Sequence, residues 1–493
     1  MKNKCIFAGL ILATFSLFIA CGEKDDIPES NSNNLINEWI YEQMSMYYLW
    51  NEKLPKSPNY DLTPDQFFNS ICYRYDKNTN PDGDRFSWIQ ENYVDLLEML
   101  SGVSSDEIGF EFMLYYMSKD QTDLIGEVEY VKKGTPAETK GLKRGQMFTH
   151  VNGTQLKENN YQNLLMNLKG NFSLTVYDVD IVSNMLSLQN EQTLALSTLS
   201  KYEENPVYLD TVYTNLNGKN IGYLVYNFFA DDNGDGKYGY DAQLAQVFAG
   251  FKAKNITDLI LDLRYNSGGS TLATTCLAGM IVKGFNTNDV FFRIDYNKLL
   301  NDYFRAEEGD DFFYQRFFDK IIPGDKLGAT PIPLVNIGND LQNFYVLSGR
   351  HTASASELII NGLRPYMKVT LLGDTTVGKN VGSISIYEKD DPENKWGMQP
   401  IIVKMYNKNN ESNYTAGFVP EYLNQDRGIK RQLGNLDENM LEEAVYRITG
   451  ATWRTSKQEQ TIPYKRAMSS VAQKAWSNQM ILNYQQLPNP GKK

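Results

Sequence analysis

One stretch constrains the fold of this 493-residue chain more than any other. From Ser348 it reads Ser-Gly-Arg-His-Thr-Ala-Ser-Ala-Ser-Glu-Leu-Ile-Ile-Asn-Gly-Leu-Arg-Pro. An apolar run follows, and then Gly-Asp-Thr-Thr-Val-Gly-Lys-Asn-Val-Gly-Ser, ending at Ser383. Small residues turn the chain at Ser354, an amphipathic run covers Leu358 to Leu363, and Pro365 stops it. Val369 to Leu372 predicts a buried strand, and glycines bracket the loop that holds Lys379. Turn, helix, strand and loop in that order bring the helix start and the later loop to one edge of a sheet. Ser354 and Lys379 are therefore a candidate nucleophile and base, provided burial keeps the lysine neutral. Ser354 with Glu357 also fits a Ser-x-x-Glu capping box, in which the hydroxyl only satisfies a helix amide. The residues alone leave both roles open.

Length predicts two or three domains. A formal charge of −12 argues against a nucleic-acid partner, which would require a basic face. Lys2 and Lys4 precede an apolar run from Ile6 to Ala20, too short to span a membrane, so residues 1–20 read as a secretory signal. Phe18-Ile19-Ala20-Cys21-Gly22 resembles a bacterial lipobox, which implies a lipidated Cys21 and a lipid anchor to the membrane. An ordinary cleaved signal with a chance cysteine is the other reading. Glu23-Lys24-Asp25-Asp26 is similar to acidic surface-export signals. The expected location is the cell envelope, as an outer-membrane lipoprotein facing the periplasm or the surface. Residues 21–34 are polar and read as a tether. Cys72 and Cys276 define neither a metal site nor a disulfide framework, and separate buried thiols are expected.

Residues 35–105 carry helical periodicity, with one helix over Leu35 to Trp50 and another over Thr63 to Tyr73. From residue 106 to 185 the pattern changes to strands and glycine turns. Val131-Lys-Lys-Gly-Thr-Pro-Ala137, Gly141-Leu-Lys-Arg-Gly-Gln146 and Val151-Asn-Gly153 resemble a bacterial PDZ domain, a small β-barrel. That resemblance implies a peptide bound as an added strand, its carboxylate held by amides of the turn Gly109, Phe110, Glu111 and Phe112. Gln146 departs from the aspartate often found there, and a purely structural barrel stays open. Residues 186–450 read as a catalytic domain. In it, Ile221 to Phe229 is a strand buried on both faces, Tyr240 to Ala253 is a helix, and Leu334–Ile337 and Phe344–Leu347 are strands. Ser385–Tyr387 with Ile401–Tyr406 predicts a hairpin. Phe291 to Phe318 is aromatic and charged, and reads either as an insertion near the active-site cleft that grips apolar substrate or as core. Asn435 to Thr449 is helical, and residues 451–493 form a polar tail with few anchors. Asp231-Asp-Asn-Gly-Asp-Gly236 partly matches a calcium loop, but Ala242 stands where the closing glutamate is needed, so a solvated turn is expected.

Thr352-Ala-Ser-Ala-Ser-Glu357, Gly373-Asp-Thr-Thr-Val-Gly-Lys379 and Leu261-Asp-Leu-Arg264 with Gly268-Gly269 together resemble the C-terminal processing peptidases, or tail-specific proteases, over about residues 35–450. The resemblance implies Ser354 as nucleophile and Lys379 as base. It implies an oxyanion hole from the Ala355 amide with that of Gly268 or Gly269. Its architecture is α+β and multidomain: an N-terminal helical region, a PDZ-like barrel and a crotonase-like core of ββα repeats. The implied substrates are polypeptides with exposed C-terminal tails, and the chemistry calls for neither metal nor cofactor. The family often places a glutamine four residues after the lysine to orient it, where this chain has Ser383. A Ser-His-Asp triad would have to use His150 or His351, and neither position suits a base across a cleft. Two other functions remain open on the same residues: a peptide-tail-binding scaffold with a weak or spent active site, and a non-peptidase acyl hydrolase.

Overall fold

The computed structural model describes residues 29–104, 106–117, 122–183, 185–322, 330–452, 461–474, 477 and 480–482. The expected signal segment and Cys21 lie outside them. Helix α1 (Glu29–Tyr47) begins inside the stretch expected to be tether, and α2 (Pro64–Ile71) starts with proline in its first turn. Ile40, Met44 and Tyr48 meet Phe67, Phe68 and Ile71 in a fully buried cluster that runs on into the main core. A third helix, α3 (Tyr93–Leu100), closes this region. Among the described residues, no helix is long and apolar enough to cross a membrane.

Five strands follow: β1 (Phe110–Tyr116), β2 (Leu124–Val131), β3 (Met147–Val151), β4 (Asn171–Val182) and β5 (Met185–Ser197). They form an antiparallel sheet around Phe110, Phe112, Leu114, Val128, Phe148 and Leu174. Strands β4 and β5 make one long hairpin, so the boundary expected near residue 185 falls inside it. Alternation of apolar residues reads as strand whether or not the strand crosses to the next domain, and pairing alone shows which sheet it joins.

The second sheet is built from β6 (Val207–Leu216), β7 (Lys219–Tyr226), β8 (Asp258–Asp262), β11 (Asn343–Ser348), β12 (Thr370–Gly373) and β15 (Tyr422–Leu423), adjacent in that order and parallel from β7 onward. Helices α4 (Gly239–Ala253), α5 (Thr271–Ile281) and α6 (Ala355–Leu363) cover one face, and α7 (Asn439–Thr449) covers the other. The alternation of β8 shows why its sequence is apolar throughout. Leu259 and Leu261 pack in the first core while Ile260 packs under α7. A third sheet runs β9 (Gly269–Ser270), β17 (Met480–Ile481), β13 (Val381–Ser383), β14 (Ile401–Asn407) and β10 (Val290–Tyr296). Strand β16 (Lys465–Ser469) adds to the free edge of β1.

Several expectations are corrected. Leu334–Ile337 is not a strand: Leu334 and Ile337 are buried as anchors of a loop, their amides donating to the carbonyls of Asp319 and Met280. Ile386–Tyr387 pairs with Gly397–Gln399, not with β14, which pairs with β13 and β10 instead. Phe291 and Phe292 belong to β10 and are buried core, with Phe304 and Phe313 stacked around Tyr296. The tail beyond residue 450 contributes β16 and β17 to two sheets, because its few apolar residues coincide with open strand edges. Cys72 and Cys276 are buried free thiols. Asp232 and Asp235 accept hydrogen bonds from the amides of Gly234 and Lys237 in their own turn.

The turn after β8 is held by Arg264, which is almost fully buried. Its guanidinium donates to both carboxylate oxygens of Asp262 and to both of Glu438 at the start of α7. Truncating one member of a buried ionic network leaves the others uncompensated. Arg264→Ala should therefore destabilise the fold by about 3–5 kcal/mol, read from the midpoint of urea unfolding.

Candidate active site

Ser354 ends the turn that leads from β11 into α6, and it is completely buried. Its backbone sits at φ 61°, ψ −114°, a strained conformation for a residue with a side chain. Such a turn presents a hydroxyl at the tip of a strand–turn–helix unit. The turn is forced by its neighbours. Thr352 Oγ1 donates to the Leu263 carbonyl and accepts from the Gly349 amide, and a Cβ on Gly349 would meet the Arg264 carbonyl oxygen at 2.5 Å. Ser356 Oγ donates to the Asn266 carbonyl at 3.0 Å. The capping box is formed in outline, with the Ser354 side chain facing the Glu357 amide, yet that contact falls short of a hydrogen bond and the hydroxyl makes none among the described residues. The box's other half is made: Glu357 Oε2 accepts from the Ser354 amide at 2.9 Å.

That same oxygen accepts from the Lys379 amide at 2.7 Å. Glu357 Oε1 accepts from the Gly378 amide at 2.7 Å and from Thr376 Oγ1 at 2.5 Å. One buried carboxylate therefore joins the main chains of the two candidate residues, 25 apart in sequence. The Val377 amide donates to the Thr352 carbonyl and draws the strands of the two turns together. Lys379 is fully buried, and burial lowers its ammonium pKa to about 7, opposed by the charges of Asp84 and Glu357 and helped by Arg85. Burial in turn pushes Glu357 up to about 7, against the pull of its four donors. The Lys379 nitrogen lies 4.9 Å from the centre of the Phe86 ring. Phe86 comes from the N-terminal region, where Asp84 accepts from the amides of Phe86 and Ser87 and from Tyr48 Oη. Arg85 donates to the Gly378 carbonyl at 2.6 Å, clamping the lysine loop from outside.

The profile of peptidase family S41 matches residues 220–423, and that of the peptidase S41 N-terminal domain matches residues 35–88. The chain belongs to peptidase family S41. Ser354, Glu357 and Lys379 lie within the first match, and Asp84, Arg85 and Phe86 within the second. The chain is 25% identical over 257 residues to the carboxy-terminal processing protease CtpA of Bacillus subtilis strain 168, covering 52% of this chain and 45% of CtpA. It thus spans less than half the length of that relative. A crystal structure of a candidate S41 protease from Bacteroides fragilis shares the fold, with a TM-score of 0.66 over 84% of this chain and 97% of the other, at 24% identity. The photosystem II D1 C-terminal processing protease aligns over 84% of this chain and 98% of its own, at 18% identity and a TM-score of 0.45.

The remaining expected residues divide. The Gly268 amide donates to Asn266 Oδ1 at 2.9 Å, and Gly269 pairs with Met480 in the third sheet. Gly269 holds φ +132°, and a Cβ there would meet the Phe229 carbonyl oxygen at 2.0 Å. The Ala355 amide, first in α6, has no hydrogen-bond acceptor among the described residues. Ser383 is buried, and its hydroxyl donates to the Met480 carbonyl at 3.3 Å. With its amide turned to suit its neighbours, Gln399 donates to that hydroxyl at 3.0 Å. The lysine loop is held by Glu357 through the Gly378 and Lys379 amides. The Gly109–Phe112 turn is engaged internally: the Gly109 amide donates to Glu107 and the Phe112 amide to Ser470 Oγ. His351 is buried, its Nε2 has no partner among the described residues, and burial holds its pKa down to about 4. No hydrogen bond joins it to Ser354. Sequence reasoning saw Glu357 only as a cap and missed Phe86 as the wall beside the lysine. Nothing local ties Phe86 to a loop almost 300 residues away.

Glu357→Gln puts an N–H where two amides need an acceptor. It should cost about 1–3 kcal/mol in urea unfolding, and amide exchange at Ser354 and Lys379 should rise while exchange in β7 stays unchanged.

Proposed function

We propose that this chain is a serine endopeptidase that cleaves extended polypeptides near their C-termini. Ser354 attacks the peptide carbonyl, and Lys379 takes its proton and returns it to the leaving amine. The amides of Ala355 and Gly269 receive the developing oxyanion. Water then attacks the acyl-enzyme, with Lys379 again as base. The observation that carries this reading is the Glu357 carboxylate oxygen shared by the Ser354 and Lys379 amides, beside a lysine whose burial brings its pKa to about 7. A neutral amine is what a hydroxyl nucleophile needs near physiological pH. The Ser354 backbone strain and its unbonded hydroxyl fit a nucleophile better than a cap.

Around that core we read the strands 110–197 as a PDZ-like unit, the two main-core sheets as a crotonase-like domain, and Cys21 as the site of a lipid anchor in the cell envelope. These readings rest on the motifs quoted above.

The test is a digest of casein by the full chain. Wild type should release peptides, and Ser354→Ala and Lys379→Ala should each lower the rate by at least about 10³-fold, as seen by mass spectrometry. Cleavage that survives both substitutions would eliminate the dyad. Because the lysine must be neutral to act, kcat/KM should rise with pH along an acid limb centred near 7. Lys379→Arg, which stays charged, should be inactive across that range.

A further inference from the structure

Strand β17 occupies an unusual place. It lies between β9 and β13, parallel to both, with Met480 opposite Gly269 and Ile481 opposite Ser270 and Ser383. Strand β9 carries the glycine of the oxyanion position, and β13 begins two residues after Lys379. The two walls are thus the two halves of the catalytic constellation, and the slot between them is one strand wide. The Leu482 amide donates to the Ser383 carbonyl at 3.0 Å, Thr271 Oγ1 donates to the Ile481 carbonyl at 3.1 Å, and Ser383 Oγ donates to the Met480 carbonyl. These are main-chain contacts that any extended polypeptide could make. Met480 is fully buried, while Ile481 and Leu482 reach the wall of a cavity of about 1070 Å³ that Ser270, Thr271 and Ile384 also line.

A second segment of the same tail fills the other peptide-binding edge. Strand β16 pairs antiparallel with β1, from Lys465 opposite Tyr116 to Ser469 opposite Met113. This is the edge and direction an added peptide strand would take, ending at the Gly109–Phe112 turn. The tail then takes over the turn itself. Ser470 Oγ accepts from the Phe112 amide and donates to Glu111, and Lys474 pairs with Glu111 at 2.5 Å and with Glu204 at 3.5 Å.

We propose that Lys465–Lys474 and Met480–Leu482 are a built-in pseudosubstrate: these two segments hold both polypeptide-binding edges, and β17 must leave its slot before another polypeptide can enter. This rests on the peptidase reading for the identity of the slot as the site of cleavage, but the occupancy itself is a matter of binding and can be tested apart from chemistry. The slot would take an extended strand running parallel to β9 and β13, recognised through its main chain and by an apolar side chain at the position of Met480. A tethered strand acts at an effective concentration on the order of millimolar, so a weak intrinsic affinity is enough to keep the slot filled.

The test uses full-length chains carrying Met480→Asp with Leu482→Pro. The first places a charge in the buried pocket, and the second removes the amide donated to Ser383. Leu482→Pro alone serves as the milder variant should the double one unfold. The probe is a fluorescein-labelled peptide, Ser-Asn-Gln-Met-Ile-Leu-Asn-Tyr-Gln, copied from residues 477–485. In a Ser354→Ala background, the tail variants should bind it at least about fivefold more tightly than the unaltered tail does, by fluorescence anisotropy. In the active background they should digest casein at least about fivefold faster, with the free peptide raising KM and leaving kcat unchanged. Equal peptide binding by altered and unaltered tails would overturn the proposal. Tighter binding without casein cleavage by any chain would uphold the tail's role and sink the peptidase reading instead.

Discussion

Glu357 is a carboxylate with no exposure to solvent, at the first turn of a helix, and its two oxygens accept four hydrogen bonds from three other places in the chain's course. A buried carboxylate is costly unless its lone pairs are filled. Filling them here requires the serine turn, the threonine before the lysine loop and the loop itself to arrive together. The site is therefore assembled by the need to satisfy one acceptor. A helix-capping residue, an ordinary local device, becomes the joint between Ser354 and Lys379, the proposed nucleophile and base.

The lysine depends on the same arrangement. Fully buried beside the Phe86 ring, it loses the hydration that keeps an ammonium charged. The nearby carboxylates of Asp84 and Glu357 limit how far it falls. The N-terminal region contributes through this balance. Asp84, anchored by Tyr48 and by the amides of its own turn, supplies both an opposing charge and the support that sets the Phe86 ring. Arg85, donating into the lysine loop, ties that region to the catalytic sheet. A region that looks like a helical appendage thus tunes a proton affinity far along the chain.

Much of this was legible before any coordinates. The order of elements from Ser348 to Ser383 follows from a turn, an amphipathic run and a glycine-bracketed loop, while the roles of Ser354, Lys379 and Ala355 are what the resemblance to the C-terminal processing peptidases implies. The strand Lys219–Tyr226 and the helix Gly239–Ala253 were readable from periodicity alone. The misreadings have a common cause. Leu334–Ile337 is apolar because it is buried, and burial in a loop leaves the same trace as burial in a strand. Gly268 and Gly269 are indistinguishable by composition, and only the position of Asn266 shows which amide it engages. The tail looked weakly anchored because its anchors are main-chain hydrogen bonds to strand edges, which leave almost no mark on side-chain chemistry.

The sequence by itself determined the local elements, the residue types able to do acyl-transfer chemistry, and the family to which they belong, since turns, periodicity and short motifs are written in neighbouring residues. Only the tertiary structure decided that one carboxylate oxygen joins Ser354 to Lys379, that Phe86 walls the lysine, and that Met480–Ile481 lies between β9 and β13. Each of those is a contact between segments far apart in the chain, and its energy comes from burial and hydrogen-bond satisfaction that exist only once the segments meet.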